Sequence, residues 1–183
     1  GHDAIREVPP DRWHWLAQLL AAPRDGETLA PRWGGFIDGV DRFDPTFFGL
    51  SPREAAFLDP QARVLLEAVW HGLEDASIIP SSLAGRSVGV FVGSQLNDYA
   101  EIMGDTGEAV AQAVLGNTKT LLANRVSFLL DLRGPSETID TACSSSLIGV
   151  HRAVQAIRNG GQALVMVPEI ALTAPWLARF AAR

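Results

Sequence analysis

The stretch Ser136-Glu137-Thr138-Ile139-Asp140-Thr141-Ala142-Cys143-Ser144-Ser145-Ser146-Leu147 reads as a short extended run, a cysteine, and the opening of a helix. Ser136 to Ala142 leads straight into Cys143. From Ser144 the pattern turns helical, with Leu147, Val150, Val154 and Ile157 in register, until Asn159-Gly160-Gly161 stops it. A cysteine at a strand-to-helix junction has chemical consequences. Backbone N–H groups and the helix dipole favour negative charge there, so a thiol ionises more easily. The same N–H groups can help hold the oxyanion of a tetrahedral intermediate. Such a thiolate is a nucleophile suited to acyl transfer. A lone cysteine is, however, most often a small buried apolar side chain. Local pattern makes Cys143 a candidate and leaves both readings open.

Working outward, Arg133-Gly134-Pro135 forces a turn ahead of this run, and Thr120 to Leu130 reads as a helix. Ser87 to Gly93 reads as a buried strand, with Val88, Val90 and Val92 on one face and two glycines leaving room on the other. Asp59-Pro60 opens an earlier helix, an N-cap followed by a proline at the first helical position. Its apolar face is Ala62, Leu65, Leu66, Val69, Leu73 and Ala76, and its end is expected near Asp75–Ser77. Ala163 to Val167 reads as a further strand. Residues 1–50 are irregular and carry too many aromatics for a linker, so they are expected to form an ordered layer. Helices alternating with strands give an α/β fold with a substantially parallel sheet.

The 183 residues carry a net charge of −6, and 47% are hydrophobic against 20% charged. That composition fits a globular chain and offers no basic stripe for nucleic acid. One cysteine excludes an internal disulfide and fits a reducing, cytoplasmic setting. No apolar run approaches the roughly 20 residues needed to span a bilayer, so no membrane partner is expected, and Gly1 to Arg6 lacks the apolar core of a signal peptide. No CxxC, HExxH or acidic cluster offers a metal site, and Gly89 to Gly93 is a strand, not a phosphate loop. Metal ligands and directly bound cofactors are therefore both expected to be none. Of four histidines, His2 and His14 fall in the irregular N-terminal layer. His71 sits on the surface or rim of the first helix, and His151 lies eight residues beyond Cys143, about 12 Å along a helix. None has a clear claim as the thiol's partner.

Asp140 to Leu147 resembles the active-site signature of ketosynthase domains in modular polyketide synthases. Other blocks match in order: Val8 to Trp13, Phe43-Asp44-Pro45 with Phe47-Phe48-Gly49, Ser51 to Ala55, Leu58 to Gln61, Gly89 to Gly93, Asn97-Asp98-Tyr99, Gly116-Asn117-Thr118, Ala123 to Ser127 and Gly134-Pro135-Ser136. The resemblance runs from about Asp3 to Ile157. Arg32 to Ile37 and Asn117 to Leu122 are similar to modules that receive acyltransferase activity in trans. The resemblance implies a thiolase-like fold of two stacked α/β halves, of which 1–183 would be the N-terminal, nucleophile-bearing half of a partial ketosynthase domain. It implies an acyltransferase of the 3-oxoacyl-carrier-protein synthase type. Cys143 would accept an acyl chain from the phosphopantetheine arm of an acyl carrier protein, and a malonyl-type extender would then condense with it decarboxylatively. It further implies a homodimer for the intact domain. The family's opening strand is expected before Gly1, and its second half, with both catalytic histidines, its lysine and a second oxyanion donor, beyond Arg183. After Ile157 the likeness loosens, with Pro168 falling where related domains usually carry a Gly-Gly turn. The alternative is a non-catalytic ketosynthase remnant that dimerises or docks carrier protein.

Overall fold

The computed structural model describes residues 3–10, 33–95, 99 and 116–166. His2, His14, Trp13, Asn97, Asp98 and the Val167 to Ile170 segment therefore lie outside the described residues. The chain divides into two units, Gly1–Arg42 and Phe43–Arg183. In the first, β1 (Ile5–Glu7) pairs antiparallel with β2 (Trp33–Gly35), Arg6 standing opposite Gly34. The Arg6 guanidinium donates to the Phe36 carbonyl at 3.1 Å and forms an ion pair with Asp38.

The described residues of the second unit include two capped helices, a parallel sheet and two further helices. Helix α1 (Pro52–Phe57) begins with Ser51, whose hydroxyl accepts the Glu54 N–H, and with Pro52 at the first turn. Helix α2 (Pro60–Asp75) begins as its sequence predicts: Asp59 accepts the Gln61 N–H at 2.8 Å, and Pro60 occupies a first-turn position that needs no donor. Asp59 is itself buried. Ala62, Leu66, Val69 and Leu73 form the buried face of α2, and its last residue matches the expected end.

Strands β3 (Val88–Gly93), β4 (Ser136–Ile139) and β5 (Gln162–Met166) form a parallel sheet in the order β4-β3-β5. All six residues of β3 are buried, as befits a strand covered on both faces. Val88, Val90 and Val92 point into a core shared with α2, with α3 (Leu121–Leu129) and with the Leu130–Leu132 turn. The opposite face carries Phe91, whose ring lies back over Gly89, and receives α4 (Ser145–Arg158) at Gly93. The room left by the glycines is thus filled by an aromatic ring and by a helix.

Two features differ from the sequence expectation. The extended run stops at Ile139 rather than reaching Ala142, because Asp140 turns the chain. Helix α4 does keep Leu147, Val150, Val154 and Ile157 in register, but they are not what it packs inward. The residues buried on it are Ser145, Ser146, Gly149 and Ala153, while Leu147 and Ile157 are 54% and 56% exposed. The close-packed face is a small-residue face, which periodicity of large apolar side chains does not reveal. At its end α4 stops where predicted, with Gly160 in the left-handed region at φ 84°.

Candidate active site at the β4–α4 elbow

β3 and β4 finish level with one another, the Ser94 N–H donating to the Ile139 carbonyl at 3.0 Å. Beyond Ile139 the chain makes a tight elbow. Asp140 Oδ1 accepts the Ala142 N–H at 3.4 Å. Ala142 sits at φ 53°, a left-handed conformation that costs a non-glycine residue about 1–2 kcal/mol. The next residue is Cys143, an exposed free thiol. Ser144 follows as N-cap and α4 begins at Ser145. The thiol therefore projects from the summit of a turn directly ahead of a helix N-terminus, as the sequence predicts.

The first two serines after it do not act as ordinary caps. Ser144 Oγ donates to the Thr141 carbonyl at 2.8 Å and lies 2.9 Å from Thr141 Oγ1. Ser145 Oγ accepts the Thr141 N–H at 2.8 Å and donates to the Ala142 carbonyl at 2.7 Å. These bonds pin the elbow from inside. They also revise the expectation about free N–H groups. The Ser144 and Ser145 N–H groups donate to the Thr141 and Ala142 carbonyls, at 3.3 Å and 3.1 Å. Both are committed to the turn instead of facing an oxyanion.

A charged pair missed in the sequence closes the site from below. Lys119, in the turn before α3, donates to Asp140 Oδ2 at 2.6 Å and to the Gln95 carbonyl. Lys119 and Asp140 are 21 residues apart, so no local pattern joins them; the parallel pairing of β3 with β4 sets their ends side by side, and the turn before α3 carries Lys119 to both. The hydrogen-bonded Lys119 ammonium, seconded by the Ala142 N–H, holds the Asp140 carboxyl below its ordinary 3.8. A carboxyl lowered on folding contributes stability above its ordinary value and loses it as pH falls through the lowered one. A carbon-detected NMR titration is expected to place the Asp140 midpoint below 3.8, and Lys119→Met is expected to move it upward. A midpoint unmoved by that change would contradict the geometry.

The histidines fall as expected where they are described. His71 is exposed on α2 and lies 3.3 Å from Glu74, and His151 is exposed two turns along α4. No group of three or more metal-binding side chains occurs among the described residues. None of their helices is long and apolar enough to cross a membrane.

Residues 1–182 match the family described as "Beta-ketoacyl synthase, N-terminal domain". The sequence is 39% identical over 179 residues to polyketide synthase PksN of Bacillus subtilis, covering 93% of this chain and 3% of that protein. It is 47% identical over 164 residues to the pikromycin polyketide synthase component PikAII of Streptomyces venezuelae, covering 87% and 4%. Among solved structures it superimposes on the ketosynthase from module 6 of the Bacillus subtilis 168 bacillaene synthase with a TM-score of 0.70 and 32% identity, covering 99% of this chain and 29% of that one. It also superimposes on the ketosynthase domain OzmH KS7 of Streptomyces albus JA3453, with a TM-score of 0.68 and 40% identity over 87% and 28% of the two chains. The chain thus spans a small share of every relative named. The thiolase-like fold implied by the resemblance is borne out, in its N-terminal half.

Proposed function

The chain belongs to the β-ketoacyl synthase family, in its N-terminal domain, and from that premise we propose that it is the nucleophile-bearing half of a polyketide ketosynthase, with Cys143 as its acylation site. The observation that carries this reading is the exposed thiol on a strained, internally bonded elbow at the start of α4. A thiol that must meet a thioester on a long flexible arm has to be accessible to it, and Cys143 is.

The first half-reaction is a thioester exchange. The Cys143 sulfur attacks the carbonyl carbon of an acyl group borne on the phosphopantetheine arm of an acyl carrier protein. A new S–C bond forms, the arm's sulfur leaves and takes up the proton, and the acyl chain remains on Cys143. In the second, a malonyl-type thioester loses carbon dioxide, and its carbanion attacks the acyl-Cys143 carbonyl and expels the cysteine sulfur. The parent enzyme is then an acyltransferase of the 3-oxoacyl-carrier-protein synthase type, homodimeric in its intact domain. The α4 stripe of exposed Leu147 and Ile157 with half-buried Val150 and Val154 fits this reading, as the face against which the second half would close.

Decarboxylation and condensation need groups that stabilise the carbanion and its carbon dioxide leaving group. Among the described residues neither His71 nor His151 stands at the elbow, and the family resemblance assigns those groups to the complementary half. Residues 1–183, incubated with an acyl thioester and malonyl-carrier protein, are expected to accumulate an acyl adduct on Cys143 by mass spectrometry and to form no β-ketoacyl product. Robust product from these residues alone would overturn the division of labour, and absence of any adduct would overturn the acylation site.

A further inference from the structure

The Lys119 carbonyl accepts the Leu122 N–H at the start of α3, and its ammonium joins the ends of two neighbouring strands. Gln95 follows β3 and Asp140 follows β4, and the same nitrogen donates to the carbonyl of the first and the carboxylate of the second. The second carboxylate oxygen of Asp140 holds the Ala142 N–H. Ala142 is the residue in the left-handed conformation, and Cys143 is bonded to it. A continuous chain of contacts therefore runs from Lys119 through Asp140 and Ala142 to the thiol.

We propose that Lys119 is a positioning residue for Cys143, acting through Asp140 to hold the elbow in the orientation from which the thiol meets an acyl thioester. This rests on the reading of Cys143 as the acylation site. The physical case is that the elbow has a less strained alternative. Released from the ammonium, the half-exposed Asp140 side chain turns to water and lets go of the Ala142 N–H. Ala142 then loses a restraint against relaxing to negative φ. Ser144 and Ser145 bond to the Thr141 and Ala142 backbone from within the turn. They preserve its compactness but do not tie it to the strand ends. Among the described residues, the Lys119–Asp140 pair is the side-chain bond that does so from the β3 side. An exposed ion pair contributes little to stability, so the effect falls on the thiol's orientation and hence on rate, where small misplacements are costly.

The test uses residues 1–183 and a butyryl N-acetylcysteamine thioester, following adduct formation on Cys143 by intact-protein mass spectrometry at several thioester concentrations. Lys119→Met and Asp140→Ala are each expected to lower the maximal acylation rate about tenfold, with the half-saturating concentration within about twofold of the parent. The double variant is expected to lose about tenfold as well, since both changes break the same chain of contacts. Lys119→Arg, which retains the charge and the donors, is expected to recover at least about half of the rate. Melting temperatures are followed in parallel, and Lys119→Gln replaces Lys119→Met if the latter does not fold. A Lys119→Met rate within twofold of the parent overturns the proposal. So does a double variant that loses about a hundredfold, or a loss confined to the half-saturating concentration. A parent chain that takes no acyl group overturns the acylation site as well, whereas a parent that acylates indifferently to Lys119 overturns the positioning role alone.

Discussion

Replacing Cys143 with Ala is expected to abolish the acyl adduct while leaving the melting temperature within a degree or two of the parent. Cys143 is the only thiol in the chain, and its exposure means that removing the sulfur leaves no cavity. The neighbouring hydroxyls are no substitute. Ser144 and Ser145 are bound to Thr141 and Ala142, Ser146 is buried, and a serine hydroxyl without a base is a poor nucleophile. A loss of at least about a thousandfold in acylation follows from removing the attacking atom. Cys143→Ser is expected to fall close to the alanine variant, since an unassisted hydroxyl is hardly ionised at neutral pH. Intact-mass measurement after incubation with an acyl thioester reads all three proteins. In a parent synthase, unchanged product formation by the alanine variant would favour the docking-module alternative over a nucleophile.

The second large effect concerns folding. Gly134→Ala is expected to destabilise the chain by about 3–5 kcal/mol, above the usual overpacking cost of about 1–3 kcal/mol because the atoms it meets are backbone and do not yield. A β-carbon on Gly134 would lie 2.3 Å from the Val88 carbonyl carbon, 2.4 Å from its oxygen and 2.5 Å from the Gly89 nitrogen. All three are backbone atoms of β3, the central strand. The turn is also stitched down on both sides of the glycine, by the Arg133 N–H to the Arg86 carbonyl and by the Val90 N–H to the Pro135 carbonyl. Neither partner can retreat without breaking the sheet. For a chain of this size the melting temperature should drop by roughly 6–20 °C. Gly72→Ala on the exposed side of α2 is the natural control, because a β-carbon there meets nothing within 4 Å. Its expected effect has the opposite sign, a gain of up to about 1 kcal/mol from helix propensity. Thermal melts of the two variants side by side would expose any error in the assumed backbone contact.

Local chemistry made much of this architecture readable in advance. Asp59-Pro60 announced α2, Asn159-Gly160-Gly161 ended α4, and the spaced valines of β3 predicted the core face that the structure has. Cys143 was placed correctly at the junction because a cap, a helix register and an extended run all converge on it. What escaped prediction depends on distance in the chain. Lys119 and Asp140 are unremarkable residues until the turn before α3 is laid against the ends of two parallel strands. The commitment of the Ser144 and Ser145 N–H groups follows from the left-handed Ala142, and alanine gives no hint of that conformation. The inward face of α4 was hidden for another reason. Small residues pack by letting backbones approach, so they leave no hydrophobic signal, while the visible stripe of Leu147 and Ile157 points outward.

That inward face governs how the chain can vary. A β-carbon added to Gly93 would already meet the Ser145 β-carbon and the Ser146 nitrogen at 3.4 Å, and Gly149 and Ala153 continue the same line along α4. The gap between helix and sheet is therefore a gauge whose width is set by side chains no larger than serine. Enlarging any of these residues would act as a shim, lifting the first turn of α4 and tilting the cysteine bonded to it. Substitutions on the outer stripe change what the helix meets, whereas substitutions along the gauge change where the sulfur stands.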